Sequence, residues 1–239
     1  MVARGSSART AVVWEALSAR LHDLEPGSCV LDIGGGTGGF AVRVAGLGHD
    51  LTVVDPSPDA LAILDRRSSE DGVSDRVTGI QGDLSTLTGL VEPASFDAVL
   101  CHGVLEVVDD PVAAVRAITE VLRPHGLLSL LVGQRHAAVV TRAMAGHFQQ
   151  AAAMLAEDGG PGEGSRRFSA EEVTGLLTGA GFDSPTLHAI RVFTDLVPAS
   201  LVDLEPGAAD ALVDLERTVS QRPEYLTLAT QIHALATLA

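Results

Sequence analysis

The run Val30-Leu-Asp32-Ile-Gly34-Gly35-Gly36-Thr37-Gly38-Gly39 limits what this chain can become more than any other stretch. Apolar residues stop abruptly at a glycine cluster, and a helical pattern follows near 39–47. A backbone that turns from strand to helix in so few residues needs glycine, and the same glycines let a ligand approach the main chain closely. The first apolar run covers 28–33, and similar short runs recur at 51–54, 76–81, 96–101 and 127–132. Further helical patterns lie between them near 58–67 and 110–122, the latter opening with Asp110-Pro111 as N-cap and first helical position. Strands that alternate with helices in this way imply βαβ units and a parallel sheet covered on both faces. The expected fold is α/β: a doubly wound, mostly parallel, Rossmann-like sheet.

Beyond Gly133 the pattern changes. Residues 136–156 are rich in Ala and Met and read as helical, and 157–165 form a turn-prone stretch of Gly, Pro and acids. The insertion 136–168 is a candidate helical lid. Ser169-Ala-Glu-Glu opens a further helix with a capping box, and Gly179 to Gly181 close it. Residues 186–195 and 225–237 read as strands around a helix near 207–220, which would place an antiparallel pair at the sheet edge. With no internal repeat, the expectation is a single domain over 1–239, with a core at about 20–135, the lid, and a C-terminal helix and edge strands at about 169–239.

Charge restricts the partners. The chain of 239 residues sets 16 basic residues, all arginine, against 31 acidic ones, for a net charge of −15, and it contains neither lysine nor asparagine. Binding that relies mainly on phosphate neutralisation needs a basic surface, so this composition argues against nucleic-acid binding of that kind as a dominant mode, and no DNA partner is expected. Cys29 and Cys101 stand apart in apolar surroundings and read as small buried hydrophobes of a reducing compartment. Charges at Glu15 and Arg20 interrupt any signal-like run, and no stretch reaches the about 18 apolar residues that a bilayer requires. The expected location is cytoplasmic, with no membrane partner. No Cys/His spacing suits zinc, and the missing asparagine disfavours an oxygen-ligated metal site, so no metal is expected.

The glycine loop satisfies two templates. Gly34-x-Gly36-x-x-Gly39 is the dinucleotide fingerprint, whereas Asp32-x-Gly34-x-Gly36-x-Gly38 is the pattern of S-adenosylmethionine (SAM) enzymes. Asp55, ending the second strand, can accept both ribose hydroxyls of either cofactor. Asp83, after Gln81-Gly82, stands where an acid can accept the adenine amine, which favours an adenosyl ligand. Leu122-Arg-Pro-His-Gly126 then resembles the turn before the fifth strand in class I SAM-dependent methyltransferases.

A closer resemblance extends along most of the chain. His102-Gly-Val-Leu-Glu106 with Asp110-Pro111, Ala145-Gly146-x-Phe148, Arg191-Val-Phe-x-Asp195, Leu215-Glu216, Tyr225-x-Thr227-Leu228 and Ile232-His233 are similar to the bacterial methyltransferases that esterify the carboxymethoxy group of wobble uridine in tRNA. That resemblance implies cofactor contacts from Arg9, Gly34, Gly35, Asp55, Gln81, Gly82 and His102, beside Asp32, Gly36 and Asp83 of the general pattern. It implies SAM as cofactor, S-adenosylhomocysteine as product, and tRNA as acceptor.

Methyl transfer from a sulfonium is an in-line displacement that depends on holding the acceptor oxygen about 3–3.5 Å from the methyl carbon. An ionised carboxylate needs no general base, only a cation to orient it; Arg191 is the expected cation, with Tyr225 as a second donor. A hydroxyl acceptor would call on His102 as base. The chain departs from the family on its acceptor side. Its lid lacks the lysine run, and Val107 and Gly133-Gln134 stand where the family has Trp and Tyr-Asn. A small-molecule acid or hydroxyl compound is therefore an alternative acceptor, and a non-catalytic SAM sensor is a second alternative.

Overall fold

In the computed structural model, which describes residues 8–156, 166–204 and 206–239, the apolar run after Ser28 forms β1 (Cys29–Ile33). It is followed by α2 (Ala41–Gly46), α1 (Ala8–Leu21) having come before it. The alternation continues through β2 (Asp50–Asp55), α3 (Pro58–Glu70), β3 (Val77–Gln81), α4 (Leu87–Leu90), β4 (Phe96–His102), α5 (Pro111–Val121) and β5 (Leu122–Gly133). Then come α6 (Arg135–Met144), α7 (Phe148–Ala156), α8 (Ala170–Gly179), β6 (Thr186–Ile190), α9 (Ala199–Leu204), α10 (Ala208–Val219), α11 (Pro223–Leu226) and β7 (Gln231–Thr237).

The strands form one seven-stranded sheet in the order β3-β2-β1-β4-β5-β7-β6, doubly wound outward from β1. The pairs β1·β2, β1·β4, β2·β3 and β4·β5 are parallel, with Ile33 opposite Val54 and Cys101, and His102 opposite Leu131. Phe182 bridges Leu238 in antiparallel fashion at the other edge. The sheet is thus mostly parallel with one antiparallel edge, as the spacing of runs implies. β1 and β4 lie inside it, so side chains on both faces are buried: Val30, Leu31, Val99 and Leu100 are fully inaccessible. Each such side chain contributes about 1.5–3 kcal/mol on leaving water.

Local signals end the helices where the sequence places them. Asp110 caps α5, its Oδ1 accepting from the amides of Val112 (2.9 Å) and Ala113 (3.1 Å), with Pro111 at the first helical position. Ser169 and Glu172 form the capping box reciprocally. The Glu172 amide donates to Ser169 Oγ (3.2 Å), and the Ser169 amide donates to Glu172 Oε2 (2.7 Å).

Two expectations change. The helical stretch 136–156 is broken into α6 and α7 at Gly146, whose φ of +80° is open to glycine at no steric cost. The late strands are also shorter than the β-rich residues suggest: β6 stops at Ile190 and β7 begins at Gln231. Tyr225 consequently lies in α11 rather than in an edge strand, because Pro223 starts a helical turn there and Tyr225 packs on Phe193 (ring centroids 6.0 Å). Of the thiols, Cys101 is buried as expected, whereas Cys29 is half-buried.

The chain divides into two compact units. The core unit comprises Leu17–Leu131, Thr174–Thr186 and Ala234–Ala239. It carries β1 to β4 and most of β5. The second unit comprises the residues through Ala16, Val132–Val173 and Leu187–His233. It has its own apolar cluster of Ala189, Val192, Val219 and Ala229, against which Phe193, Tyr225 and Leu226 pack. No helix among the described residues is long and apolar enough to cross a membrane.

Candidate cofactor and acceptor site

β1 to β4 all deliver polar residues to the same edge of the sheet in the core unit: Asp32 with Gly34, Gly35 and Gly36 from β1, Asp55 from β2, Gln81 to Asp83 from β3, and His102 from β4. In a doubly wound sheet this carboxyl edge, where the strand order reverses beside β1, is where ligands bind.

The loop after β1 can be built only with glycine at its key positions. Gly34 has φ +67°, and a Cβ there would also lie 2.5 Å from Val104 Cγ2. At Gly35 a Cβ would lie 2.5 Å from Asp32 Oδ2, so the absence of a side chain lets the loop fold down onto that carboxylate. Asp55 fixes the loop from the other side. Its Oδ2 accepts from the Gly36 amide (2.8 Å) and its Oδ1 from the Ser57 amide (2.9 Å). The sequence offers Asp32 as the organiser of the loop as readily as a cofactor contact, but in the structure Asp55 organises it.

Asp32 instead is a buried acid, 3% exposed, that accepts no hydrogen bond among the described residues. Burial, and then the nearby charge of Asp55, pushes its carboxyl up to about 7. Such a group is suited to a cationic ligand, because a positive charge would offset the cost of ionising it. The donor set therefore fits SAM, which carries positive charge on its sulfonium and its ammonium, with Asp55 available to a ribose.

The sign of the Asp32 effect on stability follows. Between the unfolded carboxyl value near 3.9 and the folded value of about 7, the folded state binds more protons than the unfolded one, so stability falls as pH rises through that window. Ionised Asp32 costs the ligand-free fold on the order of 4 kcal/mol above pH 7 at most. Asp32→Asn is expected to raise stability at pH 8, to leave it unchanged near pH 4, and to flatten the slope between them. Denaturant titrations of both proteins at the two pH values check this.

Asp83 organises the turn that follows it. Its Oδ1 accepts from the amides of Ser85 (2.9 Å) and Thr86 (3.1 Å) and from the Ser85 hydroxyl (2.6 Å). The Ser85 hydroxyl, followed by Thr86, holds this exposed carboxyl below its ordinary range. Gln81 Nε2 donates to the Pro56 carbonyl (3.2 Å), which ties the ends of β2 and β3 together.

His102 ends β4 with Nε2 at 2.9 Å from Ser129 Oγ and its ring edge-on to Phe40 at 5.0 Å. Burial pushes the imidazole down to about 4, so it is neutral at physiological pH and a weak proton acceptor. Ser129, fully buried on β5, was not among the expected site residues, although a lone serine inside Leu-Leu-Ser-Leu-Leu is a visible exception in an apolar strand.

The two residues expected to orient an acceptor lie in the second unit. Arg191, at the left-handed φ of +61°, is tied to Asp195, with Nη2 at 2.7 Å from Oδ1 and 2.6 Å from Oδ2, and Nη1 reaches Gln231 Oε1 at 3.5 Å. Its charge is matched within its own loop. That loop is held by Glu216, 1% exposed, whose oxygens accept from the amides of Val192, Phe193 and Thr194 and from the Thr194 hydroxyl. Glu216 is a structural residue that its place in the sequence did not reveal as such. Arg9 lies in the first turn of α1, with its side chain outside the described residues, as is 157–165 of the expected lid. No cluster of three metal-ligating side chains occurs among the described residues.

Residues 31–130 match a methyltransferase-domain family. The whole chain is similar to the tRNA 5-carboxymethoxyuridine methyltransferase of Escherichia coli K12, at 29% identity over 95% of this chain and 87% of the relative. A ubiquinone biosynthesis O-methyltransferase of Xanthomonas campestris is 37% identical, but over only 51% of this chain and 49% of its own length. Among solved structures, a SAM-dependent methyltransferase of Methanosarcina mazei shares the fold with a TM-score of 0.61, at 20% identity over 92% of this chain and 96% of the other.

Proposed function

We propose that this chain, a SAM-dependent methyltransferase, esterifies an acceptor carboxylate, and that the wobble carboxymethoxyuridine of tRNA is that acceptor. The observation that carries the carboxylate is the state of His102. Its Nε2 is engaged by Ser129 Oγ at 2.9 Å and burial pushes the ring down to about 4, so this histidine, the one among the described residues at the carboxyl edge of β1 to β4, is a poor base for a hydroxyl. A carboxylate arrives already ionised and needs none. Support for tRNA comes from the extent of the likeness. The tRNA-modifying relative matches 95% of the chain, through the C-terminal segments as well as the cofactor half, whereas the quinone-modifying one matches 51%.

In this reading SAM supplies a methyl carbon made electrophilic by its sulfonium, which departs as a neutral thioether. The protein's share is placement. Asp55 and the Gly34 to Gly36 loop would hold the ribose end, Gln81, Gly82 and Asp83 would border the adenine, Asp32 would face positive charge, and Arg9 is the residue that the resemblance assigns to the amino-acid carboxylate. His102 would stand beside the cofactor as a neutral hydrogen-bonding group, fixed by Ser129.

A small carboxylic acid is the second reading, favoured by the net charge of −15 and the absence of lysine. Incubation with methyl-labelled SAM and tRNA that carries carboxymethoxyuridine separates the possibilities. Label that enters tRNA and is released by mild alkali marks a methyl ester, and its formation is expected to fall steeply with added salt, as phosphate-dependent binding does. Alkali-stable label would mark an ether and overturn the carboxylate. Label confined to small acids, with a shallow salt response, would replace tRNA by the second reading.

A further inference from the structure

We propose that Arg67, on α3 and outside every cofactor contact assigned above, is a positioning residue for the cofactor: by holding the Thr37 carbonyl it keeps the glycine loop in its ligand-ready shape and so sets the affinity for SAM. This inference rests on the reading that the Gly34 to Gly36 loop holds SAM, and every residue it uses lies in the core unit.

A glycine-rich loop gives up more backbone freedom than other sequences when it orders, so its surroundings must hold it if it is to meet a ligand in one conformation. Here one continuous segment, the end of β2 with α3, contacts three successive residues of the loop. Asp55 accepts from the Gly36 amide (2.8 Å). Arg67 Nη1 donates to the Thr37 carbonyl (2.8 Å) and lies 3.5 Å from the Thr37 hydroxyl. Leu64, 2% exposed, lies against Gly38, where a Cβ would come within 2.3 Å of Leu64 Cδ1.

The helix brings these contacts together. Leu64 and Arg67 are three residues apart and share a face of α3. Helical side chains lean toward the N-terminus of their helix, and α3 begins at Pro58, just past Asp55, so the long arginine reaches back toward the carboxyl edge that the loop occupies. The helix has its own supports. Ser57 caps its start by accepting from the Ala60 amide (3.2 Å), and Leu64 and Ser68 are its buried residues. The half-buried Arg67 instead spends its hydrogen bond on a residue 30 positions earlier in the chain. Its contribution is therefore to the loop.

The test measures Kd for SAM and for S-adenosylhomocysteine by calorimetry, Tm, and hydrogen exchange of the Gly36 amide by NMR, in the parent, Arg67→Ala, Arg67→Lys and Asp55→Ala. Arg67→Ala is expected to weaken both ligands about 5–20-fold, the worth of one partly exposed hydrogen bond from a charged donor. Tm should stay close to the parent's, and exchange at Gly36 should quicken as the loop loosens. Lysine, which can offer the carbonyl a single donor, should recover part of the affinity. If Asp55→Ala weakens SAM but Arg67→Ala stays within about twofold of the parent, the assignment of Arg67 is overturned and the cofactor reading stands. A fall in Tm with Gly36 exchange and both Kd values unchanged would make Arg67 a residue of the helix alone, and would likewise overturn it. If the parent binds SAM and neither Asp55→Ala nor Arg67→Ala alters its Kd, the loop does not hold SAM, and the reading and this assignment fail together.

Discussion

Asp55→Ala is expected to weaken SAM binding by at least about 100-fold and to abolish methyl transfer at ordinary cofactor concentrations. Two losses combine. Asp55 is 7% exposed and accepts from the amides of Gly36 and Ser57, so its removal leaves two amide donors near the interior without acceptors. Each costs about 1–3 kcal/mol, and the Gly36 amide belongs to the loop that must present itself to the cofactor. The proposed ribose acceptor disappears in the same step. Ser57 also caps α3 by accepting from the Ala60 amide, so the damage extends to the start of that helix. Asp55→Asn keeps one acceptor oxygen but turns an amide donor toward another donor, and it should retain only part of the binding. Titration calorimetry with SAM, paired with thermal unfolding, checks both variants. SAM affinity within a few-fold of the parent's in Asp55→Ala would remove Asp55 from the cofactor site.

The second large effect is expected on stability. Glu216→Ala should destabilise the second unit by about 3–5 kcal/mol, because three backbone amides and a hydroxyl lose their acceptor inside the protein. Glu216→Gln separates geometry from charge. Oε1 receives Phe193, Thr194 and the Thr194 hydroxyl, and Oε2 receives only Val192. A glutamine can keep the first set and lose the second, so its cost should be about 1–2 kcal/mol. The loop at stake carries Arg191 at φ +61°, a conformation that a non-glycine residue holds only when its surroundings impose it. Urea unfolding of the three proteins at one pH measures the difference. Equal costs for Ala and Gln would show that charge, not the number of acceptors, decides the role of Glu216.

The parts of this protein that were legible in advance are those set by residues near one another in the chain. Asp110-Pro111 and Ser169 with Glu172 act over three or four residues, and the structure holds both caps as the spacing requires. The strand-glycine-helix transition at 30–39 is equally local, and repetition of short buried runs suffices to imply a parallel sheet. Tyr225 marks the limit. Tyr-Leu-Thr-Leu has strand-like composition, but Pro223 and the packing of Tyr225 on Phe193 favour a helical turn. Propensity is a weak term beside such packing.

Asp32 and Asp55 show the same division within the site. Both acids could be placed from the sequence at the edge of the sheet, because each ends an apolar run before a turn. Their roles depend on contacts that spacing does not encode: Asp55 reaches across 19 residues to the Gly36 amide, while Asp32 lies under Gly35 without a donor among the described residues. Arg191 was identifiable as a cation in the right segment, but only the fold brings Asp195 onto its guanidinium and Glu216 onto its loop. The sequence by itself determined the sheet, the glycine loop and the class of cofactor, since these follow from hydrophobic periodicity and from backbone positions that only glycine can occupy. The tertiary structure alone decided which charges are cancelled and which are left for a ligand, because a charge's availability depends on burial and on partners that are distant in sequence.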